Sequence, residues 1–105
     1  MKPDKVLSLL GIAAKAGKVA SGGFQTERAI KTGRAYLVIL AEDASENTKK
    51  KFSNMCGFYK TQMVCCSDGE SLGNAIGREY RICLALTDEG LAKAVKNRLL
   101  QTSIE

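Results

Sequence analysis

The segment Tyr36-Leu37-Val38-Ile39-Leu40-Ala41 limits the possible folds of this chain more than any other. It is apolar without interruption and bounded by turn-forming and charged residues. A strand with one wet face alternates apolar and polar residues, whereas a strand covered on both faces does not. The run therefore predicts a central strand with cover above and below. Arg81-Ile82-Cys83-Leu84-Ala85-Leu86 reads as a strand, as does Gln62 to Cys66, and Val19-Ala20-Ser21 is a short extended piece.

Helical patterns fill the intervals. Val6, Leu9, Leu10, Ala13 and Ala14 recur at helical spacing, with Pro3 tolerated in the first turn and Gly17 ending the helix. A second helix is expected from about Phe24 to Thr32, stopped by Gly33. Ser45 is placed to cap a third, running to Phe58 with Phe52 and Met55 inward. Asp68 to Ile76 suggests a short helix interrupted by Gly73. Thr87 is placed to cap the last, where Leu91, Ala92, Val95 and Leu99 form one stripe. Short strands separated by helices predict an α/β fold, a three-layer α/β/α sandwich around a small mixed sheet of about four strands, in a single domain over residues 1–105.

Composition narrows the function. The chain has 105 residues, 45% hydrophobic and 26% charged, as in an ordinary globular protein. No run approaches the roughly 20 apolar residues of a membrane span. Met1-Lys2-Pro3-Asp4-Lys5 leads into an amphipathic segment rather than a signal-peptide core, so a cytoplasmic protein with no membrane partner is expected. With no histidine, the commonest general base and metal ligand are both missing, which weighs against an enzyme.

The formal net charge is +5, and residues 1–34 carry all of it, with seven basic side chains against two acidic. The remaining residues hold nine of each. Such asymmetry points to a polyanionic partner. On a helical wheel at about 100° per residue, Thr26, Ala29, Ile30 and Gly33 fall on one side, and Phe24, Arg28 and Lys31 on the other. The outer face thus carries an aromatic ring and two cations. It begins at Gly22-Gly23, where helix-start amides suit phosphate oxygens and a ring suits a splayed base. The alternative has Phe24 folded back as a staple, with Arg28 and Lys31 merely solvated. Lys15 and Lys18 are candidates to extend the patch, and the pattern leaves open whether Lys49-Lys50-Lys51 joins it.

Other motifs carry less. Gly11 to Gly17-Lys18 has five residues between its glycines where a P-loop has four, and Val19 follows instead of Ser or Thr. Cys56, Cys65, Cys66 and Cys83 form no Cys-x-x-Cys pair, so no metal site is expected; Cys56 and Cys83 read as core residues. Glu42-Asp43 stands at the carboxyl end of the central strand, where ligands sit in open α/β sheets, but turn formation and capping explain the pair more simply.

Three spaced motifs resemble a known family: Ser21-Gly22-Gly23-Phe24-Gln25-Thr26-Glu27-Arg28-Ala29-Ile30, Leu37 to Asp43, and Ser71-Leu72-Gly73-Asn74-Ala75-Ile76-Gly77. They are similar to the archaeal/eukaryotic-type ribosomal proteins that bind kink-turn RNA. Leu9 to Ala13, Lys18 to Gly22 and Ala41 to Ser45 resemble its small bacterial, YlxQ-like branch. The resemblance implies an α/β/α sandwich, RNA binding without catalysis and no cofactor. In that family a Gly-small-Asn-Glu-x-x-Lys stretch opens the second helix, its backbone against kinked phosphates and its side chains on sheared G·A pairs. Gly22 and Gly23 fit the first two positions, and Arg28 keeps the charge of the Lys. Phe24 stands in place of the Asn and Gln25 in place of the Glu. Arg78-Glu79-Tyr80-Arg81 is more charged than the usual closing loop. The expected partner is structured RNA, kink-turn or ribosomal, with the ribosome a further candidate. The expected contacts are Gly22, Gly23, Phe24, Gln25, Arg28, Lys31, Arg78, Tyr80 and Arg81, with Phe24 or Tyr80 as a base stack. A protein–protein adaptor of the translation machinery is the main rival.

Overall fold

A computed structural model describes the backbone of residues 4–104 and the side chains of residues 5–100; the first-turn placement of Pro3 lies outside the described residues. The elements are α1 (Asp4–Lys15), β1 (Val19–Ser21), α2 (Gly23–Lys31), β2 (Leu37–Leu40), α3 (Glu46–Tyr59), β3 (Met63–Cys65), α4 (Gly69–Ala75), β4 (Cys83–Leu86) and α5 (Glu89–Ile104). The sheet order is β1-β4-β2-β3, with β2 and β3 parallel and the other pairs antiparallel.

β2 and β4 are the inner strands and buried throughout, as their unbroken apolar runs require. Their side chains alternate between two cores. Leu37, Ile39, Ala41, Leu84 and Leu86 meet Val6, Leu10 and Ala13 of α1, Leu72 of α4, and Ala92 and Val95 of α5. Val38, Leu40, Cys83 and Ala85 meet Ala29 and Ile30 of α2, and Phe52 and Cys56 of α3. The result is the three-layer α/β/α sandwich expected from the sequence.

Helix boundaries follow local chemistry. The Ser45 hydroxyl accepts from the Thr48 amide at 3.2 Å and opens α3. Asp68 does the same for α4, accepting from the Ser71 amide at 2.7 Å. Two expectations need correction. α5 is capped by Asp88, whose carboxylate accepts from the Leu91 amide at 2.9 Å, and not by Thr87, whose own amide donates to Lys18 O. Nor does Gly73 interrupt α4. It lies within the helix where the backbone of Glu79 crosses, and a Cβ there would fall on the Glu79 carbonyl. Gly11, a glycine of the rejected P-loop, lies inside α1, and a Cβ on it would stand 2.9 Å from Ala75 O.

Candidate nucleic-acid interface

β1 and β2 both end on the side of the sheet where β4 begins, since Ser21 pairs with Leu84 and Leu40 with Cys83. The β1–α2 turn, the Glu42-Asp43 turn and the end of the α4–β4 loop therefore gather at one end of the molecule. Gly22 makes the first of these turns. Its φ of 88° and ψ of 162° lie in a region nearly confined to glycine. Its amide donates to Cys83 O at 2.9 Å, extending the β1–β4 pairing by one residue. The expectation of a free amide at Gly22 is thus corrected: the sheet consumes it.

The next amides are in a different position. α2 starts at Gly23 after a glycine cap, and among the described residues no side chain caps it. The first amides of a helix have no partner within the helix, so this exposed start presents donors and the positive end of a dipole. Phe24 is 72% exposed at this start, so it is not folded back as a staple. Gln25 is exposed beside it, while Thr26, Ala29 and Ile30 are buried, as the helical wheel indicates. Phe24, Glu27, Arg28, Lys31 and Thr32 line a shallow depression of about 280 Å³ along the outer side of the helix.

The cations on that face are not equivalent. Arg28 is exposed and makes no ion pair among the described residues. Lys31 Nζ lies 2.8 Å from Glu27 Oε2, and Lys51 Nζ of α3 lies 3.3 Å from Glu27 Oε1. The hydrogen bond from Lys31, then that from Lys51, lowers the Glu27 pKa below the usual carboxylate range. Lys31 is thus half of a local ion pair, a contact the wheel does not show.

Arg81 joins this end of the molecule from the other side of the turn. Its Nε donates to Ser21 Oγ at 3.4 Å and its Nη1 to Tyr80 O at 2.9 Å. Tyr80 is half-exposed and tethered. Its hydroxyl donates to Asp43 Oδ2 at 3.1 Å, and its ring packs over Gly69. Asp43 Oδ1 accepts from the Gly69 amide at 3.0 Å, satisfying a first-turn donor of α4. One oxygen of Asp43 therefore holds the closing loop and the other the start of α4. Sequence reasoning placed Asp43 beside the third helix and missed this role, because its partners lie 26 and 37 residues away. Arg78 is exposed, its amide bound to Gly73 O on the α4 side, and no hydrogen bond or ion pair links its side chain with α2 among the described residues. Lys18 precedes β1 at the far end of the sheet and does not extend the patch at Gly22.

Desolvation, followed by the bond to Asp43, raises the Tyr80 pKa above the ordinary tyrosine value. The folded state thus favours the protonated phenol. Its stabilisation is complete below pH of about 10 and disappears as pH rises past the raised value. Tyr80→Phe should flatten that alkaline loss of stability in melts across pH; an unchanged alkaline slope would mean the tether does not hold the loop.

Among the described residues there is no cluster of three or more His, Cys, Asp or Glu able to hold a metal ion, and no helix long and apolar enough to cross a membrane. Cys56 and Cys83 are buried in the core, which pushes both thiols up; Cys65 is exposed and Cys66 partly covered.

The match to the Ribosomal protein L7Ae/L30e/S12e/Gadd45 family covers residues 4–96, from the start of α1 well into α5. The chain belongs to that family. Among its relatives, RNA-binding protein YlxQ of Bacillus subtilis (strain 168) is 44% identical over 84 residues, covering 80% of this chain and 84% of the relative. Large ribosomal subunit protein eL30 of Spodoptera frugiperda is 35% identical over 89 residues, covering 83% and 79%. A solved protein of unknown function from Bacillus halodurans C superposes with a TM-score of 0.86 at 36% identity, covering 90% of this chain and 96% of that one. That family match and superposition span all three layers of the fold.

Proposed function

We propose that this chain is a cytoplasmic RNA-binding protein that holds structured RNA, ribosomal or regulatory, without catalysis. The observation that carries this reading is the start of α2, which follows Gly22 without a side-chain cap, with Phe24 and Arg28 exposed on its outer face. Its membership in the L7Ae/L30e family supports the same reading, as do relatives named as RNA-binding and ribosomal proteins. Amides at Gly23, Phe24 and Gln25 would donate to phosphate oxygens at the helix start. Arg28 adds a full charge one turn down, and Arg81 closes the site from the loop before β4. Phe24 offers a ring on which an unpaired base can stack.

Base readout is expected to be looser than in relatives with Asn and Glu at these two positions. A ring at Phe24 cannot replace an amide's hydrogen bonds, and Gln25 offers one acceptor oxygen without charge. Each good base contact is worth about 1–3 kcal/mol of discrimination, so losing two relaxes sequence and shape selection while leaving phosphate binding in place.

A titration across a salt series tests this with three RNAs: an intact kink-turn, the same RNA with its G·A pairs replaced by Watson–Crick pairs, and an unstructured strand. Salt-dependent binding with a modest preference for the kink-turn is expected. Arg28→Ala should weaken binding to every RNA and reduce the slope of log K against log salt by about one phosphate's share, roughly 0.7–0.9. An unaltered affinity and slope in that variant would place RNA elsewhere on the surface. No binding of any RNA at moderate salt would turn the reading to a protein adaptor of the translation machinery.

A further inference from the structure

α2 and α3 start from the same end of the sheet and run side by side toward the other. The Glu27–Lys51 ion pair links them. The chain that builds this layer is segregated by charge. No acidic residue occurs from Arg28 to Ala41 or from Asn47 to Ser67, while those stretches hold Arg28, Lys31, Arg34, Lys49, Lys50, Lys51 and Lys60. Glu27 and Glu46 engage three of these lysines, and Arg34, Lys50 and Lys60 are exposed with no ion pair among the described residues. At the far end, where α3 stops, Phe58 is 78% exposed, more than any other large apolar residue described. Its ring meets Tyr59 edge-on with centroids 4.9 Å apart, and Tyr59 is itself exposed.

A folded chain leaves a phenylalanine ring this wet at a cost, because its apolar area could otherwise be buried. Charge decides which occupant fits. A second copy would set one basic face against another, which like charges oppose. Rings interleaved with unpaired cations suit single-stranded nucleic acid, where bases stack on rings and phosphates lie between cations. We infer that Phe58 and Tyr59, with Arg34 and Lys60, form a second RNA contact, which takes unpaired nucleotides leaving the site at the start of α2. α3, at 14 residues, sets the reach at about 20 Å. The inference rests on the RNA reading above and gives it a direction, with the flanking strand running along the α2/α3 layer.

The test compares two kinds of RNA against the full chain: the kink-turn with blunt ends, and the same RNA carrying a ten-nucleotide uridine extension, made once on each strand. The intact protein should bind one extended RNA more tightly than the blunt one. Phe58→Ala should abolish that gain, a loss of about fivefold or more, and leave blunt-RNA affinity unchanged. Phe58→Trp should restore it, since a larger ring stacks at least as well. Photo-crosslinking with 4-thiouridine in the extension should mark the tryptic peptide spanning residues 52–60. Equal binding of blunt and extended RNAs by the intact protein overturns the second contact while leaving the first site standing. So does a Phe58→Ala loss that is the same on both RNAs. Binding of neither RNA overturns both readings.

Discussion

Gly73→Ala should be among the most destabilising single substitutions in this protein. A Cβ at this position falls on the carbonyl of Glu79, and every atom it meets belongs to backbone. α4 is anchored by Asp68 and Asp43 at its start, and the crossing segment is fixed by the Arg78 amide on Gly73 O at 2.8 Å and the Arg81 amide on Gly69 O at 3.0 Å. Neither side can yield without losing hydrogen bonds. Overpacking of this kind costs about 1–3 kcal/mol or more, and the absence of a movable side chain puts Gly73→Ala at the upper end. Domains of this size are stable by about 5–15 kcal/mol, so the loss is a large share. Urea denaturation should show a lower midpoint with an unchanged slope. Gly69→Ala provides the contrast. Its Cβ would meet only the Tyr80 ring, a half-exposed side chain that can swing away, so the fold should lose less while the Tyr80–Asp43 tether breaks. A midpoint for Gly73→Ala no lower than for Gly69→Ala would refute the close crossing.

Gly22→Ala should damage the fold and the proposed site together. A Cβ there meets nothing within 4 Å, so space is not the constraint. The constraint is a φ of 88° with ψ near 162°, a conformation in which other residues are strained by about 1–3 kcal/mol. Relieving it would turn the peptide away from Cys83 O and disturb the bond from the Thr26 amide to Gly22 O, both at 2.9 Å. The first turn of α2 would then point elsewhere. A lower melting temperature is expected, together with weaker RNA binding that extra protein stability, for instance from an osmolyte, does not restore. Gly23→Ala separates backbone strain from helix chemistry. Its φ is not positive and its surroundings are open, so the fold should remain as stable as the parent. Equal melting temperatures for Gly22→Ala and the parent would mean the turn tolerates a side chain.

Much of this architecture is legible in local patterns. The unbroken runs of β2 and β4 specify strands buried on both faces, because any wet face would have left polar residues at alternate positions. The wheel of α2 separates its buried and exposed sides because a helix repeats every few residues. The glycine-led opening of α2 and the family motifs are equally local, and family membership followed from them. Capping by Ser45 needed only a hydroxyl three residues before its partner amide.

Other features were decided only when distant segments met. Whether Gly22 has a spare amide depends on Cys83, 61 positions away, and the sheet takes that donor. Tyr80 has the composition of a stacking residue, yet Asp43 and Gly69 hold it. Gly73 looks like a helix breaker in one dimension and is a crossing point in three. Lys31 and Lys51 look alike as solvated cations until Glu27 comes between them. The layers, the two buried inner strands and the charged outer face follow from period and composition, which are local properties of the chain. The tertiary structure alone decided which donors, rings and cations remain available to a ligand, because availability is what is left after contacts between distant residues have been made.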